Sequence, residues 1–99
     1  MAIRTRKKTE VLEDLKEPKL YKVIMHNDDV TTMEFVVEVL VYIFNKDLKE
    51  AVDLMMYIHT KGSGVAGVYP FDIAVTKIEE THKFARAKGF PLKCTMEEE

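Results

Sequence analysis

Between Met33 and Phe44 only Glu34 and Glu38 interrupt an apolar stretch. As a helix it places residues 33, 36, 37, 40, 43 and 44 on one face of a 3.6-residue period. Phe35, Val39 and Tyr42 lie off that face, so this helix has to be covered on more than one side. The chain of 99 residues supplies one domain with one compact core for that purpose. Such a domain buries roughly 60% or more of the surface its unfolded chain exposes. No apolar run approaches the ~20 residues that a membrane-spanning helix needs. The opening MAIRTRKKTE is charged with no apolar run behind it, so no secretory signal is expected.

The helix has a defined place in the chain. Residues 1–19 are crowded with charge and read as a flexible N-terminal extension, leaving 20–99 as the folded core. From Leu20 to Met25 a near-continuous apolar run predicts a strand. It stops at the turn-forming cluster His26-Asn27-Asp28-Asp29. Thr31 with Glu34 fits a capping box for the first helix. Asp47 with Glu50 repeats that signal for a second, whose inner face is Ala51, Leu54, Met55 and Ile58, with Gly62 as its stop. Residues 63–69 predict a glycine-marked strand. A third helix from Phe71 to about Lys88 turns Ala74, Ile78 and Ala85 inward and ends at Gly89 and Pro91. Leu92 to Met96 predicts a last short strand. The order β-α-α-β-α-β implies an α/β protein of the α+β type: a two-layer sandwich, three helices on a three-stranded sheet, with antiparallel pairing favoured at this size.

Charge and cysteine usage narrow the function. Fifteen basic and seventeen acidic side chains give a net charge of −2, unlike a chain that wraps nucleic acid. The single cysteine, Cys94, rules out an internal disulfide framework and a multi-cysteine zinc site. Set in an apolar strand with no feature to lower its pKa, Cys94 reads as a buried structural thiol rather than a nucleophile. His26, Asp28, Asp29 and His59 match no metal-loop spacing, and no phosphate loop or nucleophile elbow is present, so neither metal, cofactor nor catalytic residue is expected. His82 reads as an ordinary helix residue, exposed or half-buried.

Asn27, Asp28 and Asp29 hold two readings. Their side chains suit local turn chemistry ahead of a helix. They also place acceptors beside an apolar helix start. If the first two helices are neighbours, His59 joins them next to Met33, Val36, Met55 and Ile58. A pocket with a polar rim and Met-rich walls would suit an amine carried on a bulky apolar side chain. Met33 is open between core filler and pocket wall.

The run Leu20-Tyr21-Lys22-Val23-Ile24-Met25-His26-Asn27-Asp28-Asp29, with Thr31 and Met33-Glu34-Phe35-Val36 behind it, resembles the ClpS adaptor family. So do Leu54-Met55-Met56-Tyr57-Ile58-His59, Gly67-Val68-Tyr69, Ala74 with Thr76-Lys77, and Pro91-Leu92-Lys93-Cys94-Thr95. The resemblance implies a non-enzymatic, cytoplasmic, monomeric adaptor with no membrane or nucleic-acid partner. Such adaptors bring proteins with N-terminal Leu, Phe, Tyr or Trp to a ClpA-type AAA+ unfoldase working with the ClpP protease. It implies a fold like the C-terminal domain of the ribosomal stalk protein. It also implies roles: Asn27, Asp28 and His59 on the ligand's α-amino group, and Met33, Val36, Met55, Ile58 and Leu92 as the hydrophobic pocket. Asp29 and Thr31 would lie near the ligand backbone, Lys77 at the unfoldase, and the charged extension would be engaged during delivery.

Three positions depart from the family pattern. Thr32 stands where Pro is frequent, which implies a slightly looser loop. Pro70 stands where a capping Ser or Thr is common, and Val75 where an acidic residue is. The competing function, from the shared fold alone, is a ribosome- or factor-binding structural module.

Overall fold

The computed structural model describes residues 18–99, so the expectation for the N-terminal extension falls, up to residue 17, outside the described residues. The elements follow as β1 (Leu20–His26), α1 (Met33–Tyr42), α2 (Leu48–Lys61), β2 (Ser63–Pro70), α3 (Phe71–Ala87) and β3 (Lys93–Glu98). The strands form one antiparallel sheet in the order β2-β1-β3. This is the expected order and the expected α+β sandwich. α3 lies across all three strands, and α2 packs on β2 and on α1.

The sheet alternates as a half-buried sheet must. Val23 and Met25 on β1, Ala66 on β2 and Cys94 on β3 are buried in the core. Lys22 and His26 lie on the other face, where Lys22 pairs with Glu97 at 3.7 Å and His26 Nε2 meets Thr95 Oγ1 at 2.7 Å. Those partners explain why β3 runs on through Glu97 and Glu98 rather than ending at Met96. An acidic strand end is tolerated opposite lysines.

α1 is covered on more than one side, but its buried face is rotated from the expected one. Phe35, Val36, Val39 and Leu40 are buried, whereas Met33 and Tyr42 are exposed. The Phe35 ring explains the rotation. It packs against Phe84 of α3 and against Phe90, with ring centroids 5.0 and 4.9 Å apart. The N-cap also differs: Thr32, not Thr31, accepts from the Phe35 N–H at 3.2 Å.

The second cap is as expected, with Asp47 accepting from the Glu50 N–H at 2.8 Å. Between α1 and α2 the chain reverses through Asn45, at φ 57°, a left-handed conformation that Asn tolerates better than most residues. At Gly64 a Cβ would stand 2.9 Å from Ile58 Cγ1, so glycine lets α2 lie directly on β2. α3 begins after Pro70 with no side-chain cap, and ends where Gly89 takes φ 81°.

Thr32→Ala should cost about 1 kcal/mol, seen as a fall in melting temperature of about 4–8 °C. Hydrogen exchange at the Phe35 amide should quicken in Thr32→Ala and stay unchanged in Thr31→Ala. Equal acceleration in both would show that Thr31 shares the cap.

Candidate functional site

The end of β1 and the end of α2 are joined by one backbone bond. The Asn27 N–H donates to the Gly62 carbonyl at 2.9 Å. Gly62 caps α2 at φ 97°, a conformation that glycine adopts without steric cost. His59 sits three residues before it, in the last turn of α2. The polar loop after β1 is thereby fixed beside His59, and the first turn of α1 closes the third side.

A cleft of about 410 Å³ opens between these segments. The loop from Asn27 to Thr32 forms its polar rim. Met33 and Val36 of α1, and Met55, Ile58 and His59 of α2, form the rest. Of the residues singled out in the sequence, Asn27, Asp28, Asp29, Thr31, Met33, Val36, Met55, Ile58 and His59 all border this one cleft. Val36, Met55 and Ile58 are buried and make the floor, while Met33 is 44% exposed at the mouth. Exposure removes the reading of Met33 as core filler.

Leu92 and Lys77 stand elsewhere. Leu92 is 1% exposed and belongs to the core cluster rather than to the residues lining the cleft. Lys77 on α3 donates from Nζ to the Ile43 carbonyl at 2.6 Å, and its ammonium lies 5.8 Å from the centre of the Tyr69 ring. It ties α3 to the end of α1.

Asp28 does two things. Its Oδ1 accepts from the Val30 N–H at 2.8 Å and the Thr31 N–H at 2.6 Å. Its Oδ2 accepts from the Thr31 hydroxyl at 2.7 Å. The turn reading is therefore correct, yet it does not exhaust the carboxylate. Of about four lone-pair sites, one on Oδ2 remains, and a ligand donor can take it. Burial pushes the Asp28 pKa up. The Thr31 N–H, the Thr31 hydroxyl, the Val30 N–H and the Arg86 charge outweigh it and hold the carboxyl below its ordinary 3.8. Among the described residues no hydrogen bond engages the side chains of Asn27, Asp29 or His59, so their polar atoms are open to the cleft.

Two further residues lie near this region: Arg86, which the sequence did not single out, and His82, read there only as an ordinary helix residue. Arg86 Nη1 donates to the carbonyls of Phe90 and Leu92, at 2.8 and 3.0 Å, and holds the turn that leads into β3. His82 Nε2 accepts from the Cys94 N–H at 3.0 Å, and burial and then the Arg86 charge lower its pKa below 6.5. Cys94 itself is buried, and burial pushes its thiol up to about 12, so it is a protonated core residue.

The Asp28 shift fixes the sign of a pH effect. A carboxyl with a lowered folded-state pKa stabilises above its ordinary value and loses that contribution as pH falls through the folded one. Asp28→Ala should melt lower than the wild type at neutral pH, by about 1–2 kcal/mol of lost loop bonding. The difference should fade only below pH 3.8. A gap that closes already at pH 5 would mean that the loop does not stabilise the charged form.

A sequence model of the ATP-dependent Clp protease adaptor protein ClpS matches residues 16–95. The ATP-dependent Clp protease adapter protein ClpS of Desulfatibacillum aliphaticivorans is 54% identical over 91 residues, 92% of this chain and 88% of that one. Its namesake in Clostridium acetobutylicum is 56% identical over 84 residues, 85% of this chain and 83% of that one. Among solved structures, Agrobacterium tumefaciens ClpS2 bound to L-phenylalaninamide superimposes with a TM-score of 0.80 at 44% identity, over 83% of this chain and 99% of that one. The fold, the cleft and these relatives agree: the chain belongs to the ClpS family of Clp protease adaptors.

Proposed function

We propose that the cleft binds the free N-terminus of a substrate protein whose first residue is Leu, Phe, Tyr or Trp, and that the protein hands this substrate to a ClpA-type AAA+ unfoldase for degradation by ClpP. The observation that carries the reading is the meeting of open polar acceptors with an apolar floor in one cleft. The phenylalaninamide held by the Agrobacterium relative, a free α-amine on a residue with an aromatic side chain, supports it.

The chemistry discriminates chain ends from chain interiors. An N-terminal ammonium carries three donors and a charge, with an ordinary pKa of about 7.7–8.0. Asn27 Oδ1, the open site on Asp28 Oδ2 and a ring nitrogen of His59 supply three acceptors. An internal amide has one hydrogen and no charge, and would leave acceptors unpaired at about 1–3 kcal/mol each. Burying a Leu or Phe side chain over Val36, Met55 and Ile58 adds about 1.5–3 kcal/mol. Micromolar affinity takes about 8 kcal/mol, so amine and side chain are both required.

Asp29 and Thr31 serve the ligand backbone in this reading, Thr31 chiefly by holding Asp28. Leu92 acts from beneath, as support for the floor. Lys77 contributes to unfoldase docking through the α1–α3 surface it ties together, since its ammonium is already engaged. The charged extension, residues 1–19, is what the unfoldase grips during delivery. The adaptor works as a cytoplasmic monomer.

A Phe-initiated peptide should bind with micromolar affinity by fluorescence anisotropy, and its acetylated form at least tenfold more weakly. Asn27→Ala should weaken binding more than tenfold while leaving the melting temperature unchanged. Equal binding of the acetylated peptide would sink amine recognition. With ClpA and ClpP present, the full chain should accelerate degradation of a Phe-initiated reporter.

Met33 sets which side chains enter. Its thioether stands at the cleft mouth, where a ligand with an unbranched Cβ slides past. Ile and Val carry a second substituent on Cβ and have a stiff χ1, so they collide with it. Met33→Ala should cost well under the ~2–5 kcal/mol of a core truncation, because the residue is exposed. It should also admit Ile- and Val-initiated peptides. Continued rejection of both would remove Met33 from the gate.

A further inference from the structure

α2 carries a second apolar strip that the core does not use. Leu48, Val52 and Met56 follow at four-residue spacing and are 66%, 39% and 44% exposed. Residues three or four apart on a helix are surface neighbours. Val52 thus borders Met55, and Met56 borders His59, which both line the cleft. α1 has a matching strip, in which Met33 is followed four and eight residues on by the half-buried Val37 and Val41. The first turn of α1 and the last turns of α2 line the same cleft and the helices pack on each other, so they run in opposite senses. The apolar lining therefore continues out of the cleft, toward the turn at Asn45.

We propose that Val52 and Met56, with Val37 opposite, form a secondary subsite for the second and third residues of a bound substrate when those residues are apolar. The inference rests on the N-terminal binding set out above. With the amine on the polar rim and the first side chain on the floor, the substrate chain has to leave through the mouth. One border of that mouth is the polar loop, and the strip continues outward from Met55 and His59 on the other side. The reach fits. Two extended residues span about 6.6 Å, and the four residues from Met56 back to Val52 rise about 6 Å along the helix. The continuity of the strip with Met55 and His59 identifies the occupant as the same chain that fills the cleft. A substrate with apolar residues behind its first one would cover Val52 and Met56, which otherwise face water. A glycine-led continuation would leave them bare.

The test compares Phe-Leu-Leu- and Phe-Gly-Gly-initiated peptides on the wild-type protein and on the double variant Val52→Ser, Met56→Ser. Both positions are exposed, so the variant should fold, and its melting temperature checks this. The wild type should bind the Phe-Leu-Leu peptide about tenfold tighter. The variant should bind both peptides alike, with the Phe-Gly-Gly affinity within about twofold of wild type. Equal binding of the two peptides by the wild type would overturn the subsite. So would an advantage for Phe-Leu-Leu that survives in the variant, or a loss of Phe-Gly-Gly binding there. If the wild type bound neither peptide, the N-terminal reading itself would fall, a result distinct from the others.

Discussion

A single backbone hydrogen bond, from the Asn27 N–H to the Gly62 carbonyl, holds the site together. Every polar group of the cleft is placed relative to it. It prolongs the β1–β2 pairing by one step beyond His26 and Ser63, and so carries the sheet's rigidity into the loop. Because Gly62 is also the cap of α2, the same bond fixes the last turn of that helix, and with it His59. A ligand-binding loop placed by two regular elements loses little freedom when it binds, and affinity is gained mainly by avoiding that loss. Gly64, two residues on, serves the same end by letting Ile58 come down onto the sheet as the cleft floor.

The loop is ordered before any ligand arrives, and Asp28 is the reason. Three donors from Val30 and Thr31 converge on its carboxylate, which leaves a single acceptor site open, the one the proposed function gives to a ligand ammonium. The Asn-Asp-Asp cluster is thus a turn former through Asp28, and the acceptor site left open is compatible with the ligand-holding role proposed for it. It also sets a division between neighbours. Asn27 is held by its backbone, and among the described residues no hydrogen bond engages its side chain, so replacing that side chain removes no structural bond. Asp28 cannot be removed without also loosening the rim. The Arg86 charge acts on both Asp28 and His82, lowering each pKa, while its guanidinium holds the turn before β3.

What the sequence disclosed followed from patterns with a period or a fixed offset. Asp47 with Glu50, Gly62, and the inner face of α2 obey helix rules in which competing registers are absent. α1 did not, because a helix apolar on almost every side carries no information about which side faces the core. The choice was made by Phe84 and Phe90, residues more than forty positions away in the chain. Thr31 and Thr32 compete for one cap, and the capping-box offset to Glu34 favours Thr31, whereas Thr32 makes the bond to the Phe35 N–H. The hydrogen bonds of Lys77, His82 and Arg86 escaped for a different reason. Their partners are main-chain atoms of Ile43, Cys94 and Leu92, and a main-chain atom has no signature in a sequence. Leu92 was legible as apolar, but its place in the core rather than in the lining of the cleft depends on where β3 starts.

Thr32 shows how a local departure can be neutral in outcome. Proline at this position would fix φ near −65° and restrict the preceding residue, stiffening the loop through the backbone. Threonine gives up that stiffness, which implied a looser loop. Its backbone nevertheless lies at φ −72°, close to the proline value, and its hydroxyl accepts from the Phe35 N–H as the α1 cap. The conformation is thus held by a side-chain bond in place of a ring. Phe35 is also the residue whose ring locks α1 against Phe84 and Phe90. The cap therefore ties the polar rim to a buried core residue of the helix, and the mouth of the cleft is anchored to the core through one hydroxyl.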